Sequence, residues 1–319
     1  MLKTSTQIPF KDIAALWIKK KETSTKDSTY IHYYNLLKNH IEPKLGDESI
    51  EDITLLKLEK TIITFSTEGR LDYTGGLSQK TVCDITIIIK AILRYAETLG
   101  YSLSCNLEAF SVKQPSGELR VLSHKEQIII NEFLSEEDGF TALGILIALY
   151  TGVRIGELCA LSIDDFDIDI KKVTINKTMQ RLQNKQGHSK NKTYISITAP
   201  KTKNSIREIP IPDFIVERVV SIGYTSGSYI LTGLPDKFVE PRTMENRFNR
   251  LMRKLSIEDV SFHTLRHTFA TRCVEVGVDV KTLSETLGHS NVNITLNRYV
   301  HSSFEMKKKS LQKLNYYAN

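Results

Sequence analysis

The 319-residue chain has no apolar run long enough to cross a bilayer. Its longest, Phe140 to Tyr150, is interrupted by Thr141 and Gly144 and falls well short of the roughly 20 residues a spanning helix needs, so a buried helix is expected there. Nor does the N-terminus join a basic start to an apolar stretch and a small-residue cleavage site, as a secretory signal would. Cysteine is sparse: Cys83, Cys105, Cys159 and Cys273 are scattered with no C-x-x-C pair. That spacing argues against a disulfide framework or a zinc ribbon and for reduced thiols in a cytoplasmic setting. Other metal patterns are also incomplete. The acidic cluster Asp164, Asp165, Asp167 and Asp169 lacks the glycine of a calcium loop. His263 and His267 stand four apart, but Thr264 occupies the position where a helical zinc pair needs glutamate. No metal is expected.

Excess charge is modest at +6, and its placement says more than its size. Residues 1–110 carry 14 basic against 14 acidic side chains, and residues 111–319 carry 29 against 23, so the whole excess lies in the second part. Within it, Lys171 to Arg207 holds ten basic residues and no acidic one. A polyanion is the natural partner for such a stretch.

The length suits two domains of ordinary size. Phe10, Ile13, Ala14, Trp17 and Ile18 recur at helical spacing and predict an amphipathic helix over 10–20, with Lys19 and Lys20 at its polar end. Further helices are predicted from Ser28 to His40, stopping at Pro43 and Gly46, from Leu55 to Phe65, and from a Ser78 cap through Ala96 to Gly100. These four helices make a first domain over 1–110. Residues 111–122 are polar and read as a linker. A second domain, 123–319, opens on Ser123 and Glu126, spaced as a capping box. Strands are predicted at 173–178, 194–197 and 206–211 in one small antiparallel sheet, with Arg181 to Lys192 as a long loop. Arg247, Arg250, Arg253 and Lys254 repeat at helical steps and give a basic stripe suited to backbone phosphates. The fold class is mainly α, with this sheet as its β part.

The chemistry concentrates in three boxes: Thr151-Gly152-Val153-Arg154-Ile155-Gly156-Glu157-Leu158, His263-Thr264-Leu265-Arg266-His267, and Leu287-Gly288-His289 followed by Tyr299. Together they supply two arginines, several histidines and a tyrosine. Guanidinium forks suit the non-bridging oxygens of a phosphodiester. A phenol with a pKa of roughly 10 is a weak nucleophile at neutral pH, so it needs a base or a cationic pocket. His263 and His289 are both placed to accept a proton or to bond the phosphate, and spacing alone does not divide those roles. Glu157 reads as support for Arg154, and His267 as packed behind the site, orienting its neighbours.

In this order and with these gaps the boxes resemble the tyrosine recombinase family, the phage integrases and their relatives. The resemblance implies a four-helix, SAM-like core-binding domain at the N-terminus, marked by Ile41-Glu42-Pro43-Lys44-Leu45-Gly46, and a mixed catalytic domain, the two closing as a C-shaped clamp on duplex DNA. With about nine residues before the first helix, no arm-binding domain is expected. The implied reaction is transesterification through a 3′-phosphotyrosyl intermediate, with no ATP or other cofactor. Tyr299 would attack, Arg154 and Arg266 neutralise the phosphate, His263 assist proton removal, His289 support the phosphate, and Lys201 protonate the leaving oxygen, with Lys203 as its near competitor. Lys19, Lys20, Arg181, Lys203, Arg247 and Arg250 are the expected further DNA contacts. The implied partners are duplex DNA with inverted core sites, a homotetramer that exchanges its C-terminal helix, and an excision factor or host bending protein, with no membrane. The rival readings are a chromosome-dimer-resolving recombinase, a type IB topoisomerase and a non-catalytic DNA-binding accessory protein of the same fold.

Overall fold

A computed structural model describes residues 7–114, 119–184, 192–199 and 205–299. Contacts group the chain into two compact units, the first built on its N-terminal helices with residues 182–193, the second on the remaining helices and the three-stranded sheet described below.

In the first unit, α1 (Phe10–Ser24) buries Phe10, Ile13, Ala14, Trp17 and Ile18, the stripe its spacing predicts. After α2 (Asp27–Leu36) the chain does not stop before Pro43. It widens into a π turn over Leu37–Ile41 and continues as α3 (Glu42–Leu45). Pro43 lies just past this π turn, where the helical hydrogen-bond pattern changes. Thr54 caps α4 (Leu55–Glu68), and Ser78 caps α5 (Gln79–Thr98) by accepting from the Thr81 amide. Together these helices enclose one core that includes Trp17, Leu37, Ile41, Phe65, Ile89 and Leu93.

The second unit opens on α6 (His124–Ser135), where Ser123 and Glu126 form the reciprocal capping box. Helix α7 (Phe140–Thr151) is buried on nearly every face, as its continuous apolar composition requires, and α8 (Ile155–Ala160) follows after three residues. Strands β1 (Phe166–Asp167), β2 (Lys172–Ile175) and β5 (Arg207–Pro210) form an antiparallel sheet in the order β1-β2-β5, with Val173 opposite Ile209 and Ile175 opposite Arg207. The expected single sheet is in fact two. Residues 178–183 are strand β3, which pairs with β4 (Thr193–Thr198) in a separate ladder. Arg181 therefore stands in a strand where a loop was predicted. Only Met179 and Leu182 of β3 are buried, so its polar letters gave no alternation to read.

Helix α9 (Asp213–Ile222), also unanticipated, and α10 (Pro241–Lys254) complete the shell around α7. The last three helices are α11 (Phe262–Glu275), α12 (Val280–Leu287) and α13 (Val292–Tyr299). Ala270, Leu283, Leu287 and Tyr299 form a satellite core between them. Among the described residues no helix is long and apolar enough to cross a membrane.

Candidate active site

Two glycines set the backbone of the site. Gly152 ends α7 at φ 65°, and Gly288 ends α12 at φ 65°, the left-handed turn that lets a helix stop abruptly and that side chains resist. Space adds to this. A Cβ on Gly152 would lie 2.5 Å from Phe269, so something would have to shift, and one on Gly288 would lie a tight 3.1 Å from Arg207.

These turns deliver Arg154 and His289 to one place. Arg154 precedes the first residue of α8 in extended conformation; its amide donates to Glu157 Oε2 at 2.9 Å and its Nη1 to Glu157 Oε1 at 2.8 Å. Glu157 is buried and shared with a second cation: Arg207 donates from Nη2 to Oε2 at 2.8 Å and from Nη1 to Oε1 at 3.2 Å. Arg207 Nε meanwhile donates to the Thr286 carbonyl at 2.6 Å, so the same guanidinium ties β5 and α8 to the end of α12. Burial works to raise the Glu157 carboxyl, but the Arg207 hydrogen bond and charge, followed by Arg154, outweigh it and hold the group ionised below its ordinary range.

Arg266, on α11, is 2% exposed. It donates from Nη1 to the Gly152 carbonyl and from Nη2 to the Leu287 carbonyl, each at 2.7 Å. Both acceptors sit at helix C-termini, whose unpaired carbonyls carry partial negative charge and suit a buried cation. One side chain thus joins all three sequence boxes. Burial, and after it the charge of Arg154, pushes the Arg266 pKa down from its usual value, yet a guanidinium keeps its proton at neutral pH.

The phenol of Tyr299 lies among these groups. It is 6% exposed, and its Oη is 2.7 Å from His267 Nδ1. Burial raises its pKa, while the charges of Arg266, Arg298 and Arg154 pull against that rise. The His289 ring is parallel to the Tyr299 ring with centroids 6.4 Å apart, and its Nδ1 bonds the buried Thr295 Oγ1 at 2.8 Å. His263 meets His267 edge to face at 4.5 Å. All three histidines are held far below the ordinary range, by burial first and neighbouring charge second: His263 and His267 to about 4, His289 to about 3. At neutral pH they are uncharged, so each ring carries one nitrogen able to accept.

Of the six residues expected to carry the chemistry, Arg154, His263, Arg266, His289 and Tyr299 gather at this one place. Lys201, like Lys203, lies outside the described residues. Two participants were not foreseen in their roles. Arg207 had no local signal, because its partner Glu157 is fifty positions away. His267, expected behind the site, contacts the phenol itself.

The expected peripheral contacts are more varied. Lys19 is exposed, and Lys20 lies 5.1 Å over the Tyr95 ring. Arg181 is paired with Glu240. On α10, Arg250 and Arg253 are exposed, Arg247 is half-buried with Nη1 3.4 Å from Thr141 Oγ1, and Lys254 lies over Phe133. The basic stripe is therefore not uniformly solvent-facing. The acidic cluster serves the fold: Asp164 accepts from the Gly227 amide at 2.9 Å, Asp165 pairs with Lys177 at 2.7 Å, and Asp167 accepts from the Ile170 amide at 3.2 Å. Among the described residues, no three metal-ligating side chains converge.

Comparison with known proteins follows the same lines. A tyrosine recombinase XerC-like protein of Caldanaerobacter subterraneus subsp. tengcongensis is 27% identical, over 95% of this chain and 82% of its own length. In fold, the chain is similar to the Tn1549 transposon integrase solved with a circular intermediate DNA, at a TM-score of 0.78 and 22% identity over 96% of this chain and all of that one. It is similar also to the lambda integrase tetramer solved on a Holliday junction, at a TM-score of 0.66 and 17% identity over 94% and 80%. Residues 9–65 match the N-terminal SAM-like domain of phage integrases, and residues 120–306, which contain every box of the site, match the phage integrase family itself. With the two arginines, the histidines and the tyrosine assembled in the order that family would require, this chain belongs to the phage integrase family of tyrosine recombinases.

Proposed function

We propose that this chain is a site-specific recombinase that cuts and rejoins duplex DNA to integrate and excise a mobile element. The observation that carries the reading is the placing of the Tyr299 phenol, within one chain, among the charges of Arg154, Arg266 and Arg298. A phosphodiester repels nucleophiles, and preorganised guanidinium groups offset that repulsion most strongly as charge builds in the transition state. Tyr299 Oη bonds to the phosphorus, the bond to the 5′ oxygen breaks, and a 3′-phosphotyrosine and a 5′-hydroxyl result. Attack by the 5′-hydroxyl of a second duplex reverses the step and exchanges strands. The bond energy stays in the covalent intermediate, so no nucleotide cofactor enters.

Arg154 and Arg266 clamp the non-bridging oxygens, with His263 and His289 completing the phosphate pocket. Lys201 is proposed, from sequence position alone, to protonate the leaving oxygen. The first 110 residues and residues 123–319 act as core-binding and catalytic domains joined by 111–122, and Lys19, Lys20, Arg181, Lys203, Arg247 and Arg250 contact backbone phosphates. A tetramer on paired, inverted core sites is the working assembly, with the C-terminal segment exchanged between protomers; the lambda integrase tetramer on a Holliday junction supports the tetramer by similarity of fold. An excision factor or host bending protein would set direction.

The test uses a plasmid carrying two core sites. The wild-type chain is expected to recombine them, and Tyr299→Phe to bind the same DNA in a gel shift with no recombination. Supercoil relaxation without exchange would instead indicate a topoisomerase, and binding without any strand breakage an accessory protein.

A further inference from the structure

We propose that His267 is the immediate acceptor of the Tyr299 proton, a role that falls to the residue after Arg266 and not to His263. The inference rests on the reading of Tyr299 as the nucleophile. Among the described residues near the phenol, two kinds of group are available, arginines and histidines, and chemistry and geometry separate them. Arg298 and Arg266 face Tyr299 but have only protons to give. His289 has its ring plane parallel to the phenol at 3° with the centroids 6.4 Å apart, and its Nδ1 is bonded to Thr295; among the described residues its ring makes no hydrogen bond to Oη. His263 packs against His267, not against the phenol. His267 alone presents a ring nitrogen to Oη, at 2.7 Å, and both residues are more than nine-tenths buried, so water does not compete freely for the phenol.

The accepting tautomer is the one protonated on Nε2. As Oη bonds to phosphorus and the bond to the 5′ oxygen breaks, the Oη proton passes to Nδ1, giving an imidazolium. The departing oxygen takes its proton from a separate donor, Lys201 in the reading above. In the reverse step the imidazolium returns its proton as the P–Oη bond breaks. The groups facing His267 are His263 and Arg266 on α11 and Arg298 and Tyr299 on α13; burial first, then the charges of His263, Arg298 and Arg266, keep it neutral down to about pH 4 in the free protein. A bound phosphodiester brings negative charge against the same arginines, cancels part of their repulsion and raises the affinity of His267 for a proton. The base is thereby strengthened when substrate arrives.

The test is single-turnover cleavage of a nicked suicide duplex by the full chain, with the adduct site mapped by mass spectrometry. His267→Ala and His267→Gln are expected to keep DNA binding and to form the Tyr299 adduct about 10²- to 10⁴-fold more slowly, the usual worth of a positioned general base. Their rates should climb about tenfold per pH unit between pH 6 and 9, following the phenolate fraction, while the wild-type rate is nearly flat. Replacing Tyr299 by 3-fluorotyrosine, a more acidic phenol, should recover much of the loss in His267→Ala. Wild-type or faster cleavage in His267→Ala, or a pH slope and fluorotyrosine rescue found in His263→Ala and absent here, would overturn the proposal while leaving Tyr299 as nucleophile. An adduct at a different tyrosine would overturn the nucleophile reading itself. If the His267 variants do not fold, 3-fluorotyrosine in the otherwise unaltered chain decides: a change under threefold supports a resident base, and a rise in proportion to the phenolate fraction excludes one.

Discussion

Arg266→Ala is expected to lower single-turnover cleavage by about 10³-fold or more, at the upper end of what losing one preorganised donor costs. The effect exceeds that of an isolated clamp because Arg266 holds the site together as well as facing the phosphate. Its two Nη atoms are bound to the Gly152 and Leu287 carbonyls, yet each carries a second proton free for an anion. Without the side chain, those buried carbonyls lose their donors, at about 1–3 kcal/mol apiece. The helix ends that present Arg154 and His289 then lose their common anchor. Arg266→Lys keeps the charge but cannot span both carbonyls, so it should recover less than a tenth of the lost rate. Cleavage within tenfold of wild type in Arg266→Ala, measured on a nicked duplex with binding held saturating, would remove this residue from the phosphate pocket.

Glu157→Ala is expected to destabilise the second unit by about 3–5 kcal/mol, the cost of stranding a buried charge. Glu157 and Arg207 side chains are only 4% and 5% exposed, so water cannot replace the lost carboxylate. Among the described residues Arg207 would keep the Ser205 and Thr286 carbonyls alone, and Arg154 would lose the group that fixes its Nη1 and its amide. Urea unfolding should show the loss directly. Glu157→Gln, which retains an acceptor but not the charge, should fall between. Acid should act in the same direction: because the folded-state pKa of Glu157 lies below its unfolded value, its contribution is present above that unfolded value and fades as pH falls through the folded one. A loss under about 1 kcal/mol in Glu157→Ala would show that the pair is solvated and weak.

Much of this arrangement was legible because local rules and the fold agree. Ser78, Ser123 and Glu126 read as caps and bond as caps. What escaped was non-local. Arg207 belongs to the site only because the pairing of β2 with β5 and the path of α12 bring it against Glu157, and no spacing rule reaches across fifty residues. Residues 181–183 of β3 read as loop because the outward positions of this strand are polar, and α2 reads as ending at Pro43 because a proline normally ends a helix, whereas the chain runs on through a π turn. His267 was legible as a neighbour of Arg266 and not as a partner of Tyr299. Only the approach of α13 to α11 puts the phenol on its Nδ1.

The most direct measurement of the central claim is to trap the wild-type chain on a nicked suicide duplex, digest it with protease and identify the DNA-linked peptide. The account predicts a 3′-phosphate ester on Tyr299 and on no other of the thirteen tyrosines. An adduct at any other residue, or cleaved DNA with two free ends and no protein attached, would contradict it.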